Sequence, residues 1–448
     1  MQLVAYGAQD VYLTGQPKVT FFQAVYKRHT NFAMENIQQT VNGSSGPSGR
    51  VSVTIARNGD LVGNMYVGLT PNVVTSSNLT SNNVGYDTCW IAERAISAVE
   101  LTIGGQRIDK HYQAWFRLYA ECFLGESDKI AYGKMTSSSS FSSTTNSSTK
   151  VYLPLLFFFN RNPGLYLPLI ALQYHEVRLD FDLSIYYDKY FGSSSVEVWA
   201  NYVYLDTEER RRFAQKGHEY LIEQVQHTGG DSISTSSETN SALVRLSFNH
   251  PVKELIWCYQ NPVTSTTANL NALWNFSTGT SNVQMTVSPL VPGGVSVGQL
   301  PHEIGCPHLY SNIAGSSTAN AYWVEEGDRP PVGSSAYEVG PMHQFKLVLN
   351  GQDRFKEQLG KYFNQYQPYM YHTGTPYPGI YVYSFALQPE EHQPTGTCNF
   401  SRIDNAQVAV WLKAANTVTS SFSLQKMFAV NYNILRIQSG MGGLAFSN

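Results

Sequence analysis

Leu101-Thr-Ile-Gly-Gly-Gln-Arg107 returns later in the chain as Leu347-Val-Leu-Asn-Gly-Gln-Asp353. In each copy, alternating apolar residues meet a two-residue turn signal, Gly104-Gly105 in one and Asn350-Gly351 in the other. That pattern predicts a tight β-hairpin. Three other blocks recur in the same order. Val53-Thr-Ile-Ala-Arg-Asn58 is echoed by Val244-Arg-Leu-Ser-Phe-Asn249, Pro163–Gln173 by Pro378–Gln388, and Asn201–Leu205 by Asn431–Leu435. Matching order over the whole length indicates a duplicated domain rather than a short-period solenoid. Two similar domains side by side present a similar surface twice, which suits a building block better than a single-site enzyme.

Most patterned segments read as strands. Val51–Ile55, Val177–Leu183, Val196–Trp199, Leu243–Phe248, Phe345–Leu349 and Val408–Leu412 alternate apolar and polar residues, which buries one face and wets the other. Leu101, Ile103, Leu347 and Leu349 should face the cores, and Asp180 and Asp182 should lie on a wet face. Helical patterns are few. One is expected over Asp109 to Glu121, with a counterpart from about Phe355 to Tyr366. Asp206-Thr-Glu-Glu209 resembles a capping box opening a short connector helix through Ala214. An amphipathic stretch near Phe21 to Arg28 suggests another short helix. The expected fold is all-β: two tandem eight-stranded jelly-roll β-sandwiches with a few short helices. The expected division is an arm over 1–25, a first roll over 26–205, a connector over 206–221, a second roll over 222–437 and a tail over 438–448.

The 448 residues fit roughly two domains of about 200 residues each. Net charge is −3, charged residues make up only 14%, and no basic stripe is visible, so direct nucleic-acid binding is not expected. The longest apolar run, near Leu153–Phe159, is too short to span a bilayer. No signal peptide is indicated. The five cysteines are widely spaced and form no CxxC, which favours free thiols in a reducing compartment. The 29 tyrosines and 22 phenylalanines suit half-buried sheet surfaces and subunit contacts. Ser/Thr/Asn-rich stretches separate the blocks. The longest, within about 261–341, makes the second half's loop far longer than its counterpart and is expected to be an exposed decoration.

Catalytic and metal-binding patterns are weak. His302, Cys306 and His308 lie close together but lack further ligands at a recognised spacing, and read as a polar loop. Glu390 and Glu391 are adjacent, so in an extended chain they point to opposite sides and cannot flank one glycosidic bond. No GxSxG, Walker loop, GxGxxG in a βαβ context or cupin-like His-x-His occurs. No catalytic residue, metal or cofactor is expected. Sequons stand at Asn42, Asn78, Asn146, Asn275 and Asn399.

Several segments together resemble the major capsid proteins of nucleocytoplasmic large DNA viruses, those of algal viruses above all. They are Gln2–Gly15, Thr30–Ala33, Ile103–His111, Leu172–Val177, Thr397–Asn405 and Ser439–Ala445, spread from the first residues to the last ten. The resemblance implies a double jelly roll whose homotrimer forms a pseudo-hexagonal capsomer. Neighbouring capsomers and minor capsid proteins would be its partners in an outer icosahedral shell, assembled in the host cytoplasm and kept from the genome by a membrane. Ala415–Thr419 resembles a glycan-acceptor context of some algal-virus capsid proteins. Asn416, with Asn275, Asn78 and Asn146, is therefore a glycosylation candidate. The rival reading is a carbohydrate-binding tandem β-sandwich, with a two-domain glycoside hydrolase behind it.

Overall fold

The computed structural model describes residues 7–71, 90–136, 150–192, 196–228, 240–260, 340–374, 376, 379–412 and 423–446. The first half supplies strands β1 (Phe32–Gln39), β2 (Val41–Gly43), β3 (Arg50–Thr54), β4 (Leu61–Leu69), β5 (Ile96–Ile103), β6 (Gln106–Tyr112), β7 (Val151–Pro154), β8 (Leu167–Pro168), β9 (Val177–Leu183) and β10 (Glu197–Leu205). The second supplies β11 (His218–Thr228), β12 (Ala242–Leu246), β13 (Pro251–Gln260), β14 (Met342–Leu349), β15 (Gln352–Asp353), β16 (Gln358–Leu359), β17 (Ile380–Ser384), β18 (Cys398–Asn399), β19 (Ala406–Leu412), β20 (Ser423–Gln438) and β21 (Met441–Leu444).

The sheets of the two halves correspond strand for strand. In the first half the orders are β1-β10-β4-β7 and β3-β9-β5-β6, with β2 beside β3 and β8 beside β4. In the second they are β11-β20-β13-β17 and β12-β19-β14-β15, with β16, β18 and β21 as short additions. Each half is thus two four-stranded antiparallel sheets whose neighbours, apart from the hairpins β5-β6 and β14-β15, are distant in sequence, the wiring of a jelly roll. Double jelly-roll architecture follows directly from that doubled order.

The recurrent hairpins are equivalent in conformation. Gly104 and Gly105 turn with φ of 57° and 82°, and Asn350 and Gly351 with φ of 51° and 78°. Two consecutive left-handed residues make the turn whose twist matches paired strands, and only Gly and Asn adopt it at little cost. The register places Leu101 opposite Leu179, and Leu347 opposite Val408. Leu101, Ile103 and Leu347 are fully buried, whereas Leu349 at the strand end is only half-buried.

Local expectations need correction where tertiary pairing overrides a short pattern. Residues 109–112 belong to β6, claimed by pairing with β5, so the first helix runs Gln113–Phe123. Its counterpart starts after β16, because Gln358 and Leu359 pair with β14; it then includes a π-helical segment, Tyr362–Tyr366, before Gln367–Tyr371. The stretch Phe21–Arg28 is not helical; the arm's described helix is Asp10–Thr14. Phe21, Phe22 and Tyr26 are almost wholly exposed, so no apolar face is buried there to favour a helix over the extended chain. The connector helix Thr207–Gln215 forms, but Asp206 makes no side-chain cap. Strand β11 opens inside the stretch read as connector, and the tail beyond 438 carries β21.

Asp180 shares the outer face of its strand with the exposed Arg178 and the part-exposed Asp182, but its own carboxylate is covered. It is buried under Arg178, Arg50 and Ser52, with the Ser52 hydroxyl donating at 2.7 Å and Arg178 Nη2 at 2.8 Å. Burial opposes its ionisation, but Ser52 and Arg178 outweigh that and hold the carboxyl below the usual range. Cys122, Cys258 and Cys398 are free thiols, the first two buried. No helix among the described residues is long and apolar enough to cross a membrane.

Candidate functional site: the junction between the rolls and the open faces

The helix Gln113–Phe123 joins the two rolls. Its Phe116 and Leu118 are buried in the core cluster of the first roll. It also presents Trp115, Tyr119 and Phe123 at intervals of one helical turn, their rings 4.7 to 6.4 Å apart. This stripe meets the outer face of the sheet β11-β20-β13-β17. The Trp115 ring is 5.4 Å from that of Phe428, and Ile222, Ile256, Cys258 and Val430 join the same apolar cluster. The inner face of that sheet faces its own core through Trp257, Tyr259 and Met427. The sheet is therefore apolar on both sides.

A segment of the second roll terminates the helix of the first. Thr373 Oγ1 donates to Phe123 O at 3.0 Å, and Gly374 N donates to Cys122 O at 3.1 Å. Carbonyls at a helix end lack intrahelical partners, and here they find them across the junction. Only glycine fits at 374: a Cβ there would stand 2.4 Å from Glu121 O and 2.7 Å from Cys122 O.

Charges are buried around this joint in pairs. His372 Nε2 lies 3.0 Å from Glu254 Oε2, and His372 Nδ1 lies 3.4 Å from Glu390 Oε1. Burial disfavours the imidazolium, but the two carboxylates outweigh it and raise its pKa to about 9. Glu223 meets Lys253 at 2.8 Å, Arg161 of the first roll at 3.0 Å and His392 at 3.5 Å. Burial again opposes ionisation, but the hydrogen bond with His392 and the charges of Lys253 and Arg161 outweigh it, holding the Glu223 carboxyl at about 2. Further hydrogen bonds cross the junction. Val225 N donates to Asp109 Oδ1 at 3.1 Å, Tyr174 N to Gly440 O at 3.0 Å, and Leu444 N to Gln106 Oε1 at 3.1 Å.

These groups are paired with one another across and beside the joint. Glu223, Glu254 and Glu390 each sit against a cation, and no cluster suited to a metal occurs among the described residues. Glu390 contributes to the joint through His372 and Thr373, a role that its sequence neighbourhood did not signal. Among the glycosylation sequons, Asn42 and Asn399 are exposed. Asn78, Asn146, Asn275 and Asn416 lie outside the described residues, as do His302, Cys306, His308 and nearly all of 261–341.

Open aromatic surfaces occur among the described residues of the first half. The arm from residue 11 to 26 exposes Tyr12, Leu13, Phe21, Phe22, Val25 and Tyr26. The outer face of β1-β10-β4-β7 carries Tyr66 parallel to Trp199, ring centres 6.5 Å apart, with Tyr152 edge-on to Tyr66 at 5.6 Å. Lys150 and Glu197 pair at 2.7 Å beside them.

A doubled jelly roll with an apolar internal joint, paired buried charges and open aromatic faces defines a shell-forming structural protein. The chain belongs to the family of large eukaryotic DNA virus major capsid proteins: the model so described matches residues 209–443, and one for the major capsid protein N-terminus matches residues 20–206. It is 43% identical to the major capsid protein of Paramecium bursaria Chlorella virus 1 over 477 aligned positions, covering 100% of this chain and 99% of that one. Among solved structures it is similar to the PBCV-1 virus capsid protein, with 39% identity, a TM-score of 0.70 and coverage of 96% and 100%. The Faustovirus major capsid protein shares the fold, with a TM-score of 0.66 at 12% identity over 97% and 94% of the two chains. The protein is a structural component of a large DNA virus capsid.

Proposed function

We propose that three copies associate into a pseudo-hexagonal capsomer, which meets neighbouring capsomers and minor capsid proteins in the outer shell. The observation that carries this reading is the strand-for-strand equivalence of the two rolls. Two equivalent units per chain, taken three times, supply six similar edges, and a hexagonal tile covers a surface without gaps. The aromatic rings left open on the first roll suit contacts buried only on assembly. The role is non-catalytic, assembly takes place in the host cytoplasm, and the chain touches neither nucleic acid nor bilayer directly. The division into arm, two rolls, connector and tail belongs to the same proposal, as does glycosylation at Asn416, Asn275, Asn78 or Asn146. Sedimentation of the folded chain at decreasing concentration tests the assembly. A trimer stable on dilution is expected; a monomer throughout would count against the capsomer.

A further inference from the structure

One of two equivalent sheet faces is covered within the chain, and the other is bare. Sheet order makes β11-β20-β13-β17 the counterpart of β1-β10-β4-β7. The helix that covers the former also has a counterpart. Phe116 and Phe363 are both fully buried, each in its own roll's core, and each follows an equivalent hairpin. Counted from these two residues, Trp115, Tyr119 and Phe123 correspond to Tyr362, Tyr366 and Met370. The first set is docked on the second roll, as described above. In the second set, Tyr362 and Tyr366 stack at 5.3 Å, but Tyr366 and Met370 remain 52% and 51% exposed, with Tyr369 beside them at 82%. The matching sheet face presents Met34, also 52% exposed, with Tyr66, Tyr152 and Trp199.

We infer that the stripe Tyr362, Tyr366 and Met370 docks on the face formed by Met34, Tyr66, Tyr152 and Trp199 of a second copy of this chain. The contact repeats between copies the joint already made inside one copy, which is why a second copy is the occupant the structure favours. The composition of the two faces agrees. The in-chain face is mostly aliphatic, with Ile222, Ile256, Val382 and Val430 around the ring of Phe428 under Trp115, as suits a surface covered from the moment of folding. The open face is Tyr- and Trp-rich and bordered by Asn36, Asn201 and the Lys150–Glu197 pair, as suits a surface first wetted and then buried. Helix on one roll and face on the other make the contact head-to-tail, which excludes a two-fold dimer through this contact and closes into a ring in the three-copy capsomer proposed above. The inference rests on the capsomer reading and gives it residues.

Two measurements on the full chain test it. Tyr366→Asp and Trp199→Asp, each changing a side chain at a solvent-facing position, should weaken self-association about tenfold or more by sedimentation. Far-UV circular dichroism should be unchanged, and Leu243→Asp, at an exposed site elsewhere, should sediment as the unaltered chain does. A photoreactive benzoyl-phenylalanine at position 366, in a mixture of light and heavy isotope-labelled chains, should cross-link between copies to peptides containing Tyr66, Tyr152 or Trp199. A trimer indifferent to both Asp substitutions would overturn this interface and leave the capsomer standing. Cross-links confined to one copy, to another region, or to a different polypeptide in assembled particles would also overturn it. An unaltered chain that stays monomeric would overturn both.

Discussion

His372 and Glu254 form an ion pair, 3.0 Å apart, with both side chains fully buried where the second roll caps the helix of the first. The pair lies at the end of the aromatic stripe, since the Phe123 ring stands edge-on to the imidazole at 5.1 Å. Removing one partner of such a pair leaves an uncompensated charge in an apolar joint. The pair therefore ties the segment that caps the first roll's helix to β13 of its own roll, and its strength depends on the protonation of His372.

The folded-state pKa of His372 is raised to about 9 from an ordinary 6.5. A raised pKa gives stability that is complete below the unfolded value and lost as pH rises through the folded one. The loss should run from about pH 6.5 to above pH 9 and amount to roughly 3 kcal/mol. Urea unfolding at pH 6.5 and 9.5 checks this. His372→Gln should be less stable at pH 6.5 and should lose most of the dependence in that window.

Glu223 behaves oppositely. Its carboxyl is held at about 2 rather than 4.5, so its contribution is complete above about pH 4.5 and lost as pH falls toward 2. Glu223→Gln should flatten the acid limb of the stability profile, while leaving the window above pH 6.5 as it is in the unaltered chain. Circular dichroism melts between pH 2 and 6 provide the reading.

Gly374→Ala should destabilise the joint, because the added methyl group meets the carbonyls of Glu121 and Cys122. A cost of about 1–3 kcal/mol is expected. Amide exchange should show it as faster opening at the carboxyl end of Gln113–Phe123, with the strand Val177–Leu183 unaffected.

Leu101→Ala and Leu347→Ala, at fully buried and equivalent positions, should each cost roughly 2–5 kcal/mol. Leu349→Ala should cost less, since that side chain is only half-buried. Deleting residues 1–25 should change thermal stability by less than about 0.5 kcal/mol, because the described part of that arm is exposed. Denaturant melts of the four variants provide the ranking, and equal losses at Leu101 and Leu349 would contradict the strand register.

The duplication, the hairpins at Gly104-Gly105 and Asn350-Gly351 and the alternating strands were legible without coordinates. Their signals are local: a turn needs particular residues at particular positions, and a half-buried strand needs period two. Boundaries were less legible. Residues 109–112 fit a helical spacing as well as a strand, and only pairing with β5 decided between them. Asp180 alternates like a wet-face residue, yet Arg50, distant in sequence, helps to cover it.

The joint lay beyond the reach of pattern. Glu223, Lys253, Glu254, His372 and Glu390 stand in no motif, because ion pairing requires proximity in space and places no demand on spacing along the chain. By itself the sequence determined that this protein would build the same roll twice, since hairpin chemistry and hydrophobic period are written residue by residue. Only the tertiary structure decided that the Trp115 stripe is buried while the equivalent Tyr366 stripe stays open. Chemically similar helices differ in this way because one has the other roll in reach and its counterpart has none within the same chain.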